Sequence, residues 1–380
     1  MGIEPIFDPN VWARVPFHFW SVVFFVFGSM VGSFLNVCIY RMPLGLSVVS
    51  PPSHCPHCKY SIPWFLNMPL FTWLLLRGKC KNCRAPISVR YFLVELLTGI
   101  MFLGCWLTYG SVSAWLALTY SLLVAGLIVA TFIDFEHYII PDEITIGGTV
   151  VGLLLSFCPL LHQQKTMLAG FGQGLIGAAV GWGIIYGVVR LGKVMFGRER
   201  VELPVDAKII FSEAAVHLPD RDIPYEELFY RQSDEIVMQA RTLELIDRCY
   251  RDITVRLSPK RLRVGDEEFD PEKVHQMEAV STEIVLPREA MGFGDVKFMA
   301  AIGAFLGWQA TLFSLVVSSF LGSAVGIIGM ATQGRERFAR IPYGPYIAAA
   351  AAIWIFLPAS IRTEVRDMLA ALNFFAAPGP

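Results

Sequence analysis

Residues 17–40, FHFWSVVFFVFGSMVGSFLNVCIY, contain no Asp, Glu, Lys or Arg. A helix needs about 20 apolar residues to cross a hydrocarbon core roughly 30 Å thick, and this run is long enough. A secretory signal would have a basic start, an apolar core of about 7–15 residues and a small-residue cleavage site. The run from Phe17 to Ile39 is longer and leads into NVCIYRMP without such a site. The expectation is a retained anchor, and hence a membrane protein.

The rest of the chain agrees. Its 380 residues are 54% hydrophobic and 17% charged, against about 45–50% and about 25% in soluble domains. The excess falls in further apolar runs, giving eight candidate spans at about 17–40, 91–109, 113–133, 144–162, 170–192, 295–308, 310–332 and 343–360. The sixth is short and glycine-rich, so seven is the competing count. A net charge of −1 argues against nucleic acid as the main partner.

Basic loops set the expected orientation. Residues 41–90 carry Arg41, Lys59, Arg77, Lys79, Lys81, Arg84 and Arg90 and no acid, which marks that stretch as cytoplasmic. Eight spans threaded from there put the N-terminus outside. Residues 134–143, the long segment 193–294 and the basic loop QGRERFAR (333–340, with Arg335, Arg337 and Arg340) then fall inside.

Residues 197–290 differ in kind. They hold more than half of the charged residues in about a quarter of the length, are net acidic and contain no span. DITVRLSPKRLRVGDEEF (252–269) alternates apolar and polar residues on both sides of Ser-Pro-Lys, which predicts a hairpin. SDEIVMQARTLELIDRCY (233–250) reads as an amphipathic helix. The segment is therefore expected to be a small soluble α+β insertion, since a linker would be richer in Gly, Ser and Pro.

The eight cysteines sort by position. Cys38, Cys105 and Cys158 lie in apolar runs and read as small hydrophobes, and Cys249 has no obvious mate. Cys55-x-x-Cys58 and Cys80-x-x-Cys83 form two knuckles, the spacing of a tetrahedral zinc site. On a cytoplasmic loop metal binding is favoured over two disulfides. With four protein ligands the zinc would be structural, and His54 and His57 are adjacent alternatives. The apolar stretch between the knuckles is too short and broken to span.

Two acids remain. The third span ends in VATFIDFEHYIIPDEITIGG, with Asp134 directly after the apolar stretch. Asp142, after Pro141, reads as the cap of the next helix, and Glu136 and His137 as turn residues. MGFGDVKFMA (291–300) opens the sixth span with Asp295 between Gly294 and Val296. An acid near a helix start is favoured by the helix dipole. Gly292 and Gly294, however, imply backbone freedom or close approach there, and ionisable groups at membrane depth mark functional sites. The threading puts Asp134 and Asp295 at one membrane face. Two carboxylates brought close do not both ionise, so such a pair can deprotonate a water and protonate a leaving amine, as in aspartic proteolysis. Spacing alone does not bring them together. Lys297 is either an interfacial anchor or a contact for the substrate.

Taken in order, GSFLNVCIYRMP (32–43), the paired knuckles, RYFLVELLTG (90–99), IDFEHYIIPDEIT (133–145), GFGDVKFMAAIGAFLGW (292–308) and IPYGPYIAAAA (341–351) resemble the bacterial type IV prepilin peptidases. The resemblance implies an intramembrane aspartyl protease of the bacterial inner membrane with Asp134 and Asp295 as its dyad. Gly292, Gly294 and Pro141 would support the site from the cytoplasmic face. It implies prepilin or pseudopilin substrates with a short basic leader, cut after glycine. In bifunctional members N-methylation from S-adenosyl-L-methionine follows, associated with the zinc-loop region, and assembly proteins of the pilus or of type II secretion are implied partners beside membrane lipid. The insertion at 197–290 departs from the family pattern. Regulation, binding of an assembly component and recruitment of substrate are its open roles.

The resulting expectation is an all-α polytopic membrane protein of about eight helices, with a cytoplasmic four-cysteine zinc loop and a small soluble α+β insertion. Its parts would be a first helix (1–40), the zinc loop (41–90), helices two to five (91–196), the insertion (197–290) and helices six to eight (291–380). The rival readings are a peptidase without methyl transfer, a zinc-stabilised membrane scaffold or transporter with the acids on an ion path, and an inactive relative acting through its insertion. Absent repeat symmetry and the presence of both acids weigh against the last two.

Overall fold

The computed structural model describes residues 16–63, 66–205, 207–229, 232, 234–245, 248–274, 276–287, 292–333 and 342–371. It divides into two compact units, residues 1–185 with 293–380, and residues 186–292.

The first unit is helical. α1 (Phe17–Arg41) follows Pro16 and ends in a Met-Pro turn closed by Gly45 at φ +64°. After the short α2 (Phe71–Leu75) comes α3 (Val89–Tyr109), whose N-terminus is capped by Ser88 accepting the N–H of Arg90. α4 (Ala114–His137) stops at Tyr138, which turns left-handed at φ 56° and returns its N–H to the carbonyl of Asp134. α5 (Asp142–Leu155) and α6 (Met167–Phe196) follow, the latter running on past residue 185. With α7 (Tyr225–Leu228) lying in the second unit, the helices after it are α8 (Phe293–Leu306), α9 (Trp308–Gln333), α10 (Gly344–Phe356) and α11 (Ala359–Ala371).

Among the described residues, five helices are long and apolar enough to cross a membrane, or six if α10 and α11, bent by 112° at their junction, count as one span. Eight spans are expected from the sequence. Helices do form in all eight places, but α5, α8 and α10 have 14, 14 and 13 residues. At 1.5 Å per residue they reach about 20 Å, short of a hydrocarbon core. Local breaks account for this. α5 ends before Ser156, Gly307 at φ +83° separates α8 from α9, and Pro358 separates α10 from α11. The basic loop 333–340 lies outside the described residues apart from Gln333, so its three arginines are not placed.

α8 is the most enclosed element. Asp295, Val296 and every residue from Phe298 to Leu306 are buried. It packs along α5, and its backbone meets that of α6 so closely that a Cβ at Gly177 would lie 2.1 Å from the carbonyl oxygen of Gly303.

The second unit is a ten-stranded antiparallel sheet: β1 (Arg198–Glu202), β2 (Lys208–Phe211), β3 (Ala215–His217), β4 (Asp222–Pro224), β5 (Ile236–Glu244), β6 (Cys249–Ser258), β7 (Arg261–Val264), β8 (Glu267–Phe269), β9 (Met277–Val280) and β10 (Glu283–Pro287). Its order is β4-β3-β2-β9-β5-β6-β7-β8, with β10 joining β5 to β1. The expected hairpin is there, β6 and β7 pairing Ser258 with Arg261 around Pro259 and Lys260. The expected helix at 233–250 is not. Ile236, Met238 and Ala240 are buried at alternate positions of β5, a period of two that belongs to a strand. Among the described residues the insertion is thus mainly β, with a four-residue α-helix and a 3-10 turn at Pro271–Lys273, and the all-α description holds for the first unit alone. One face carries a single core that includes Ile209, Leu243, Val255 and Ile284, all fully buried. The buried Asp234 pairs with Lys193 at 2.5 Å.

Candidate functional site

The four-cysteine loop is two copies of one turn. In the first, the Cys55 N–H reaches Tyr60 O and the Lys59 N–H reaches Cys55 O. In the second, the Cys80 N–H reaches Ala85 O and the Arg84 N–H reaches Cys80 O. Lys59 and Arg84 both take a positive φ, 56° and 60°. Each turn aims two sulfurs at one point, and all four lie within 4.8 Å of one another. The Cys55–Cys83 and Cys58–Cys80 separations are 3.8 and 4.0 Å. Zinc with bonds of about 2.3 Å to four tetrahedral sulfurs requires separations of about 3.8 Å, so the donor set fits that ion. Among the described residues neither His54 nor His57 joins the cluster.

The environments of the thiols differ. The backbone N–H at Tyr60, then the Asn82 amide, hold Cys58 down to about 6. Backbone N–H groups of Cys83 and Asn82 lower Cys80. At Cys83 the Ala85 N–H favours the thiolate, but burial and the neighbouring sulfurs outweigh it and push the thiol up to about 11. Four thiolates at this spacing need a dication.

The loop is tied to the helices beneath it. Arg41, buried at the end of α1, donates to the carbonyls of Ser47 at 3.0 Å and Pro51 at 2.8 Å. Leu70 donates its N–H to Glu95 on α3 at 2.7 Å. Trp73 of α2 packs on Phe92 with ring centroids 5.1 Å apart.

Asp134 sits in the last turn of α4 and Asp295 in the first turn of α8, and both are buried. Ile140, in the turn that follows α4, links their surroundings. A Cβ at Gly294 would lie 3.4 Å from Ile140 Cβ, and one at Gly344 would lie 2.9 Å from Ile140 Cδ1. Oδ2 of Asp134 accepts the Gly344 N–H at 2.9 Å. The starts of α5 and α8 are joined by an ion pair from Lys297 Nζ to Asp142 Oδ1 at 2.6 Å, and Lys297 also lies over the Phe293 ring. Both acids therefore lie toward one end of the helical unit. Buried there, the two carboxylates are held away from bulk water.

The supporting residues take different places. Gly294 lies inside α8 with Ile140 against it, the close approach its small size permits. Gly292 precedes α8 and is exposed. Pro141 is the cap residue of α5, so Asp142 is its first helical residue and not its cap. Glu136 is not a free turn residue, since it forms an ion pair with Arg90 at the start of α3. Gly344 is the residue that reading the sequence misses. Its signal is Tyr-Gly-Pro at a helix start, with Pro345 in the first turn, where a proline's fixed φ suits the helix and its missing N–H costs nothing.

Comparison with known proteins comes down on one family. The model for the bacterial peptidase A24 N-terminal domain matches residues 26–109, and that for the type IV leader peptidase family matches residues 121–200 and 278–327. A Myxococcus xanthus protein called prepilin leader peptidase/N-methyltransferase is 32% identical over 320 residues, 83% of this chain and 64% of its own length. One of the same name from Aeromonas hydrophila is 28% identical over 371 residues, 90% of this chain and 91% of its own. An Escherichia coli type 4 prepilin-like proteins leader peptide-processing enzyme is 40% identical over 167 residues, 38% of this chain and 61% of its own. No solved structure matches the chain.

Proposed function

Since the chain belongs to the type IV leader peptidase family, we propose that it is a prepilin leader peptidase and N-methyltransferase of the bacterial inner membrane. The observation that carries the reading is the pair of buried acids, Asp134 and Asp295, on helices held to one end of the unit through Ile140, Gly344 and the Lys297–Asp142 pair. The five long apolar helices support the membrane setting, and the names of the relatives support prepilins as substrates.

The dyad carries the cleavage. One carboxylate takes a proton from a water as its oxygen attacks the scissile carbonyl, while the other, protonated, hydrogen-bonds the carbonyl oxygen. The C–N bond then breaks and the departing nitrogen receives a proton from the dyad. Gly344 fixes one oxygen of Asp134 and so sets the direction in which that carboxylate works. Cys55, Cys58, Cys80 and Cys83 would hold a structural zinc, which would brace the loop without taking part in cleavage. S-adenosyl-L-methionine would supply the methyl group for the new amine, with the zinc-loop region carrying that transfer. The catalytic end and residues 197–290 are assigned to the cytoplasmic side from the basic loop 41–90, and pilus or type II secretion assembly proteins are the partners this reading admits.

The test is cleavage of a full-length prepilin by the purified chain and by Asp134→Asn and Asp295→Asn. Both variants should lose cleavage while keeping their thermal midpoint. Normal cleavage by either would overturn the dyad. The mass of the product N-terminus with and without methyl donor reads the second activity.

A further inference from the structure

The helices that carry the two acids also wall a groove. A cavity of about 810 Å³ lies among α1, α4, α5 and α8 and is lined in part by residues 45–48. On α4 its lining reaches Val129, five residues before Asp134, and on α8 it begins at Phe298, three residues after Asp295. At 1.5 Å per residue those offsets are about 7 and 5 Å along the helices, so one end of the groove lies within about two turns of the acids.

Two features state what the groove accepts. Its lining includes glycines, two of which are not consumed by the chain's own packing. A Cβ at Gly147 would meet nothing within 4 Å, and one at Gly126 would meet only Ile144 Cγ2, at 4.0 Å. Such a surface lets a second helix approach closely in a membrane, where helices associate by contact rather than by exclusion of water. The rest of the lining is largely apolar. Its polar members are Ser47 and Glu143; Glu143 is exposed at the start of α5 and has no cationic partner among the described residues, whereas the adjacent Asp142 is taken by Lys297. An apolar helix with a cation at one end complements this arrangement, and an acyl chain leaves the carboxylate unanswered.

We infer that this groove receives the apolar helix of the prepilin substrate, with Glu143 at its mouth taking a positive charge next to the scissile bond. The inference rests on the prepilin reading and gives it a place on the molecule. Two to three turns of the bound helix lie against α4, α5 and α8, which delivers the peptide bond at its end to Asp134 and Asp295. Gly126, Gly147 and Glu143 are then residues of substrate specificity and take no part in bond breaking.

The experiment uses the full chain in lipid with a full-length prepilin. Gly147→Phe and Gly126→Phe fill the groove from different helices. Each should raise KM about tenfold or more and leave kcat within about twofold. Glu143→Lys should raise KM too, and a prepilin whose cationic residues before the cleavage site are made acidic should recover it. A benzophenone side chain at Val151, also in the groove, placed in the Asp134→Asn chain, should cross-link to prepilin, while one at the exposed Leu93 of α3 should not. This last arm does not depend on how the phenylalanine variants fold. Unchanged KM in both filled variants, or cross-links from Val151 to lipid alone, would overturn the groove while leaving the peptidase reading intact. Failure of the unmodified chain to cut prepilin would instead overturn that reading.

Discussion

The backbone N–H of Gly344 is hydrogen-bonded to Oδ2 of Asp134 at 2.9 Å, across a sequence separation of 210 residues. A Cβ at 344 would stand 2.7 Å from that same oxygen, so the contact exists only because the residue is glycine. Gly344→Ala should displace the carboxylate. A shift of about 1 Å in a reacting group costs on the order of 10²-fold in rate, so kcat for prepilin should fall by about that much at saturating substrate. A Gly344→Ala chain with normal kcat would show that this contact does not set the position of Asp134.

Much of this site is legible in the sequence, for reasons that differ by element. The paired knuckles are read from spacing alone, because a single ion with short, fixed bonds imposes it. Asp134 and Asp295 are noticed because a carboxylate next to an apolar run is costly and needs a reason. Their common surroundings are not legible, since they depend on Ile140 and Gly344, neither of which is polar or charged. The β5 strand is missed because an apolar–polar alternation that includes Thr242, Leu243 and Glu244 satisfies a helical template over a short window as well as an extended one. α5, α8 and α10 are shorter than the apolar runs that predict them because hydropathy continues through Gly307 and up to Pro358, where the helical backbone does not.

The four sulfurs predict a metal stoichiometry. The purified chain should contain one zinc, and Cys80→Ser or a strong chelator should lower its thermal midpoint. Structural zinc in small sites contributes on the order of 10 kcal/mol to local folding, enough to move the midpoint by several degrees. Because the zinc loop and the acids are held by different contacts, residual cleavage should outlast loss of the metal. Metal-free protein with an unchanged midpoint would remove zinc from the account.

The Lys297–Asp142 pair separates two roles for the lysine. Lys297 is a quarter exposed and Asp142 more than half, so the pair contributes at most about 1 kcal/mol. If it only joins α8 to α5, Lys297→Met should lower the midpoint slightly and leave kcat/KM within about threefold. A loss of a hundredfold or more without a change in midpoint would instead show Lys297 acting on substrate. Exchanging the two residues should restore stability in the first case but not activity in the second.

His162, in the connection between α5 and α6, gives a pH signature. Burial first, with repulsion from Arg366 adding to it against a hydrogen bond at Ala304, lowers its imidazole from 6.5 to about 4. The folded state therefore holds the neutral ring, with Nε2 3.1 Å from Ser156 Oγ. The unfolded chain takes up a proton first as pH falls, so this contribution is complete above about pH 6.5, declines between 6.5 and 4, and is flat below. Allowing for partial exposure it amounts to about 2 kcal/mol. The midpoint of the unmodified chain should drop across that window, and His162→Gln should flatten the drop. An identical profile in the variant would assign the acid sensitivity to another group.

The contact of Gly177 with Gly303 bears on how this protein can change over generations. Neighbouring side chains ordinarily exchange volume, one shrinking as the other grows. Here a methyl group on either residue would fall 2.1 Å from the other's carbonyl oxygen, and the opposite residue has nothing left to give up. Any route to a different pair of amino acids at this crossing lacks a viable first step, whichever residue moves first. The helix that carries Asp295 is thus kept in place by a rule of inheritance as well as by packing.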